Sequence, residues 1–67
     1  MNNNKLKAIY LEVVRVHLLS AQLNAGLARL YSLFGHEALA MDFDKDYEDD
    51  LAKAREYIDK IKLLKGE

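Results

Sequence analysis

Residues 30–38 read LYSLFGHEA, and this stretch decides the fold. Gly35 can adopt the left-handed backbone conformation that ends a helix, and the chain contains no proline that would end one elsewhere. Apolar residues recur at helical spacing on both sides of this glycine. Two helices joined by so short a turn must fold back on each other, so the sequence predicts an all-α, antiparallel two-helix hairpin.

The first helix is expected over about residues 5–34, with Asn4, or another of the asparagines at 2–4, as its N-cap. Its apolar residues alternate four and three positions apart once Ser20 fills one gap. Gly26 is kept inside the helix, where it would permit a close neighbour. The stripe consists of Ile9, Val13, Val16, Leu23, Leu27, Leu30 and Phe34.

The second helix is expected over about residues 36–65, ending near Leu64, before Gly66. It repeats the spacing of four and three residues, and its stripe consists of Tyr47, Leu51, Ala54, Ile58 and Ile61. His36 is expected to meet solvent beside the turn. The whole chain, residues 1–67, is then a single helical domain.

The composition excludes several classes of protein. Sixty-seven residues form one small domain, and the absence of cysteine excludes disulfides and cysteine-bound metals. No apolar run reaches the roughly 20 residues that cross a bilayer, and no signal-peptide pattern opens the chain, so we expect a cytoplasmic protein without membrane contact. We expect no cofactor and no enzymatic activity, because neither a catalytic triad nor a phosphate-binding loop can be assembled.

The first helix carries more apolar surface than one neighbouring helix can cover. Its strongly polar residues are confined to a narrow strip, and Leu11, Val14, Leu18 and Leu33 lie away from the apolar stripe. The sequence therefore predicts a homo-oligomer, at least a dimer, in which two hairpins complete a four-helix bundle. The expected interface between copies consists of Val13, Val16, Leu23, Leu27, Leu30 and Phe34.

Acidic residues cluster in residues 42–50, where six carboxylates and Lys45 give a local charge of −5 in a chain of net charge −1. A calcium loop is excluded because Tyr47 and Lys53 occupy positions that need glycine and glutamate. A solvated helix surface and a docking patch both fit the pattern. We take it as a recognition surface for a partner with a basic surface, formed by Asp42, Asp44, Asp46, Glu48, Asp49 and Asp50.

Polar residues also line one face of the first helix, at His17, Ser20, Asn24 and Tyr31. They could form a buried hydrogen-bonded network. Alternatively, His17 could bind a divalent cation together with Asp46 and Asp50 of the second helix.

Residues 28–66 resemble, without gaps, the first helix hairpin of bacterioferritins and related ferritin-like proteins. The resemblance is carried by Ala28-Arg29-Leu30-Tyr31, Phe34-Gly35, Ala54, Tyr57-Ile58-Asp59-Lys60-Ile61 and Leu63-Leu64-Lys65-Gly66. It implies half of a four-helix bundle and a di-iron site. The family's Glu-x-x-His pair reads Asp50-x-x-Lys53 here, its first-helix glutamate falls near His17, and its haem-binding methionine falls near Leu51.

Taken together, these features predict a small regulator or inhibitor that associates with itself and acts through protein contacts. A ferritin-like binder of divalent metal is one alternative. A small dimeric helical-bundle regulator that binds nucleic acid is another, although basic and acidic residues are interleaved in the second helix and the isoelectric point is near 6.1.

Overall fold

The computed structural model describes residues 3–64, which form two helices packed side by side. Helix α1 spans Asn3–Leu33 and helix α2 spans Glu37–Leu63, and they run antiparallel. The pair measures 51 × 14 × 13 Å, and residues 3–64 contain no strand. The predicted all-α hairpin is confirmed. Neither helix is long and apolar enough to cross a bilayer.

The turn between the helices has the geometry that the sequence predicts. Gly35 has φ +81°, a conformation that side chains strongly disfavour. The His36 amide donates to the Tyr31 carbonyl at 2.9 Å, and the Gly35 amide donates to the Ser32 carbonyl at 3.0 Å. These two bonds form a Schellman motif, which satisfies carbonyl groups at the end of α1.

The outer ends of the helices differ slightly from the prediction. Helix α1 already includes Asn3, so Asn4 lies inside the helix and is not its cap. Asn2 and the segment 65–67, including Gly66, lie outside the described residues. At the other end, α2 stops at Leu63, and Leu64 is extended with its amide bonded to the Ile61 carbonyl. Helix α2 therefore ends one residue before Leu64, near which its end was expected.

The face of α1 that packs against α2 is not the large aliphatic stripe. The packed residues of α1 lie one position further along the chain and again alternate four and three apart; we call the two packed sets the interhelical face. On α1 this face consists of Tyr10, Val14, His17, Ala21, Asn24, Ala28 and Tyr31, and on α2 of Ala40, Phe43, Tyr47, Asp50, Ala54, Tyr57 and Ile61. Of the predicted α2 stripe, Tyr47, Ala54 and Ile61 are confirmed in this face, whereas Leu51 and Ile58 flank it and are exposed.

Small and aromatic side chains together determine which face is packed. Within residues 3–64 the buried hydrophobic residues are Val14 and four alanines, and the small alanine side chains let the two backbones approach closely. An aromatic pair lies near each end of the interhelical face. Near the turn, Tyr31 stacks on Phe43 with 5.5 Å between the ring centres, and at the other end Tyr10 contacts Tyr57 edge-on with 5.4 Å between the ring centres. The second helix covers Val14 and leaves Leu23 and Leu30 exposed, as expected if one helix cannot cover both sets of apolar residues.

Gly26 lies on the exposed side of α1. A Cβ atom added there would meet no atom within 4 Å. The expected close neighbour is therefore absent within residues 3–64.

Candidate interaction surface and polar cluster

The large aliphatic side chains of α1 form a continuous exposed surface, which we call the outer stripe. Val16, Leu23 and Phe34 are 54%, 63% and 68% exposed, and Val13 and Leu27 are half-buried. No charged residue interrupts the surface, which consists of Ile9, Val13, Val16, Ser20, Leu23, Leu27, Leu30 and Phe34.

The outer stripe is positioned for a second helix neighbour. Each of its residues from Ile9 to Leu30 immediately precedes a residue of the interhelical face, as Val16 precedes His17. One residue corresponds to a rotation of about 100° around a helix, so the stripe faces roughly at right angles to α2. Helix α1 can therefore contact α2 and another helix at the same time, as helices in a four-helix bundle do.

A hydrogen-bonded cluster lies at the middle of the interhelical face. His17 Nδ1 lies 2.8 Å from Asp50 Oδ1, and Asn24 Nδ2 donates to Asp50 Oδ2 at 3.0 Å. The side chains of His17 and Asp50 are only 29% and 15% exposed. The predicted polar network is confirmed for His17, Ser20 and Asn24, whereas Tyr31 lies in the aromatic layer near the turn.

The hydrogen bonds of this cluster favour an ionised Asp50. The hydroxyl of Ser20 and then the ring of His17 lower the pKa of Asp50 below its usual 3.8; partial burial acts in the opposite direction, and Asn24 lowers it further. An ionised carboxylate can only accept hydrogen bonds. The Nδ1 atom of His17 is therefore the donor to Asp50.

The alternative metal-binding set is brought together only in part. His17 and Asp50 meet, but through a direct hydrogen bond, whereas Asp46 is exposed one turn away. Within residues 3–64, no group of three or more histidine, aspartate or glutamate side chains could hold a metal ion. The geometry fits a structural polar contact between the helices.

The predicted recognition surface keeps five of its six carboxylates. Asp50 points into the interhelical face, so its inclusion in an exposed surface is wrong. Three of the exposed carboxylates are spaced four and three residues apart and line up along α2; we call Asp42, Asp46 and Asp49 the acidic row. Asp44 and Glu48 are also exposed, but on another side of the helix.

Two features of the interhelical face were not predicted from the sequence. The sequence placed Asp50 beside His17 only as a shared metal ligand, whereas the structure joins Asp50 to His17 and Asn24 by direct hydrogen bonds; the position of Asp50 between Tyr47 and Ala54 in the spacing of three and four could have indicated this. Lys60 Nζ lies 4.6 Å from the centre of the Tyr57 ring and 5.9 Å from that of Tyr10, a cation–π contact at the open end of the hairpin.

Comparisons with known proteins give no relative from which a function could be transferred. No family model matches the chain, and neither a curated protein nor a solved structure matches it. The likeness to bacterioferritins stays a prediction.

Proposed function

We propose that this chain is a small, non-enzymatic helical protein that associates with itself and acts through protein contacts, as a regulator or inhibitor. The outer stripe is the interface between copies. The acidic row is the surface that recognises a partner with basic side chains. The observation that carries the proposal is the uncharged, exposed outer stripe on a hairpin in which Val14 and four alanines are the only buried residues among those that the structure describes.

The energetics of burial support self-association. Covering a large aliphatic side chain contributes about 1.5–3 kcal/mol, and a whole domain is stable by only about 5–15 kcal/mol. The outer stripe leaves Ile9, Val16, Leu23 and Leu30 each at least 45% exposed. Because these four side chains are about half exposed, covering them would contribute about 3–6 kcal/mol per chain, which is a large share of the stability of a whole domain.

The charge of α2 supports the second part of the proposal. Asp42, Asp46 and Asp49 are exposed along one line of the helix. Such a row can attract a basic surface over a distance of about 8–10 Å at physiological ionic strength. The attraction comes from several carboxylates on one side of α2. Asp50 is not part of the acidic row, because its carboxylate already bonds to His17 and Asn24.

Sedimentation equilibrium of the full chain and of two matched variants tests self-association. Leu23→Gln removes an exposed leucine of the outer stripe, and Met41→Gln removes a comparably exposed side chain from α2. Two copies of Leu23 are lost per dimer, so we expect the dissociation constant to rise about 100-fold or more for Leu23→Gln. Met41→Gln should leave it unchanged. A wild-type chain that stays monomeric at high micromolar concentration contradicts the proposal.

The acidic row is tested by comparing captured proteins between variants. Asp42→Asn, Asp46→Asn and Asp49→Asn are combined in one variant, and Asp44→Asn with Glu48→Gln serves as the control. Proteins captured from lysate by the wild type and by the control, but lost with the triple variant, would support the row as the recognition surface. Equal capture by all three chains would exclude it.

A further inference from the structure

We infer that the outer stripe is occupied by a second copy of the chain that runs antiparallel, with the two-fold axis of the dimer passing beside Ser20. The inference rests on the proposed self-association and adds the orientation and register of the two α1 helices. It follows from the exposed area, from the chemistry of the stripe and from the way its side chains change in size along α1.

The hairpin exposes more surface than a compact monomer of its mass, and the excess matches the area that one partner buries in a stable dimer. The hairpin exposes 5208 Å², whereas a compact monomer of 7.7 kDa exposes about 4,300 Å². The excess is roughly 900 Å², and each partner buries about 800 Å² in a standard interface. One additional interface of ordinary size would give this chain the exposed surface of a compact protein.

The chemistry of the outer stripe selects a partner surface that is also uncharged. A charged group placed against it would lose water without gaining an opposite charge. The outward side of α2 carries seven exposed charged residues between Asp42 and Lys53, and so does not meet this requirement. The outer stripe of another copy does, and a symmetric dimer brings the same surface together from both chains.

The sizes of the side chains select the antiparallel orientation. Before Ser20 the stripe contains the β-branched residues Ile9, Val13 and Val16. After Ser20 it contains three leucines and then Phe34. In an antiparallel pair, the smaller Val13 and Val16 of one copy face leucines of the other, which keeps the helix axes evenly spaced and the packing dense. A parallel pair would place valine against valine at one end and leucine or phenylalanine against itself at the other, and the axes would diverge.

The polarity of Ser20 selects the register. An axis between Ser20 and Leu23 would also pair the two stripes, but it would place the Ser20 hydroxyl against a leucine, whereas an axis beside Ser20 does not. Val13 and Leu27 are each seven residues from Ser20, and Leu6 and Phe34 are each fourteen residues from it. Val16 and Leu23, and Ile9 and Leu30, match in distance from Ser20 to within one residue, so each apolar residue of the stripe lies beside an apolar residue of the other copy. Ser20 alone meets itself, and its hydroxyl already donates to Asp50 of its own chain. The antiparallel direction also aligns the two helix dipoles favourably.

Disulfide cross-linking tests this register directly, because the natural chain has no cysteine. Single variants Ser20→Cys and Leu30→Cys are oxidised separately, and Val13→Cys is mixed with Leu27→Cys. In the antiparallel dimer, two copies of residue 20 adjoin the axis, whereas two copies of residue 30 lie about 30 Å apart along the helices. A disulfide needs α-carbons within about 7 Å. Lys45→Cys, on the exposed side of α2, controls for random collisions.

We expect a disulfide-linked dimer from Ser20→Cys and from the Val13→Cys and Leu27→Cys mixture, and none from Leu30→Cys or Lys45→Cys. Leu30→Cys cross-linking as readily as Ser20→Cys would overturn the antiparallel orientation. Absence of cross-links both from Ser20→Cys and from the mixture, in chains that still sediment as dimers, would overturn the stripe-to-stripe register but leave self-association standing. A monomeric wild-type chain would overturn both.

Discussion

His17 Nδ1 lies 2.8 Å from Asp50 Oδ1, and this contact joins the middle of α1 to the middle of α2. Apart from Asn24, which also binds Asp50, the rest of the interhelical face is small, aliphatic or aromatic. Sliding one helix by seven residues would place His17 opposite Phe43 or Tyr57 and leave Asp50 without its donors. Polar groups that pair only in one register are a known means of fixing helix alignment. We therefore assign the cluster a role in setting how the two helices align.

Removing the Asp50 carboxylate should destabilise the protein. Asp50→Ala leaves the donors of His17, Asn24 and Ser20 without their acceptor at a partly buried position. Such a loss costs about 1–3 kcal/mol in the free energy of unfolding. Asp49→Ala, one residue away and exposed, should change it by less than about 0.5 kcal/mol. Urea unfolding followed by circular dichroism, at one protein concentration, measures both. Equal effects of the two substitutions would contradict the role of the cluster.

The stability of the protein should fall in acid, and part of that fall should depend on Asp50. The pKa of Asp50 is lowered in the folded state from its usual 3.8. The corresponding stabilisation is therefore fully present above this usual value and is lost as the pH falls through 3.8 to the lowered pKa of the folded state.

Urea unfolding of the wild type and of Asp50→Asn, repeated between pH 7 and pH 2, isolates this contribution. The exposed carboxylates are common to both chains, so their contribution cancels. We expect the difference in unfolding free energy to be constant at neutral pH and to shrink below pH 4, because protonation removes the charge that only the wild type carries. A difference that does not vary with pH would show that the charge of Asp50 is not stabilising.

The sequence was sufficient for the turn and for the number of helices, but not for the packed face. Gly35 needs a positive φ angle, a requirement that is local and therefore visible in the sequence. The face of α1 that packs is decided by contacts with α2, for which two stripes offset by one residue compete. Hydrophobicity alone favours the stripe that contains Val16 and Leu23. The structure packs the neighbouring stripe, because its alanines allow close approach and its polar residues meet Asp50, a residue 26 to 33 positions away in sequence.

The buried alanines should tolerate no larger side chain. Ala54 is 2% exposed and lies between the helices, whereas Ala52 is exposed on the same helix. Ala54→Leu forces the backbones apart and should destabilise the protein by about 1–3 kcal/mol. Ala52→Leu, with the same added volume, should stay within about 0.5 kcal/mol of the wild type. Thermal unfolding of the two variants at equal concentration gives the comparison, and similar melting temperatures would contradict close packing at Ala54.

The two described glycines should respond to alanine in opposite directions. Gly26 lies inside α1 with no atom within 4 Å of an added Cβ, and it needs no special backbone angle. Gly26→Ala should therefore stabilise the protein by about 0.4–1 kcal/mol, because alanine favours the helix and restricts the unfolded chain. Gly35 also has open space around it, but its φ of +81° is unfavourable for alanine. Gly35→Ala should therefore destabilise the protein by about 1–2 kcal/mol.

Urea unfolding of the two variants beside the wild type separates backbone conformation from steric fit, because neither added methyl group meets a neighbour within its own hairpin. Helix content measured by circular dichroism should be unchanged for Gly26→Ala, since that residue is already helical. Destabilisation by Gly26→Ala would mean that another molecule approaches α1 closely at this residue. Sedimentation of that variant would decide the point, since a methyl group that obstructs such an approach would also weaken self-association.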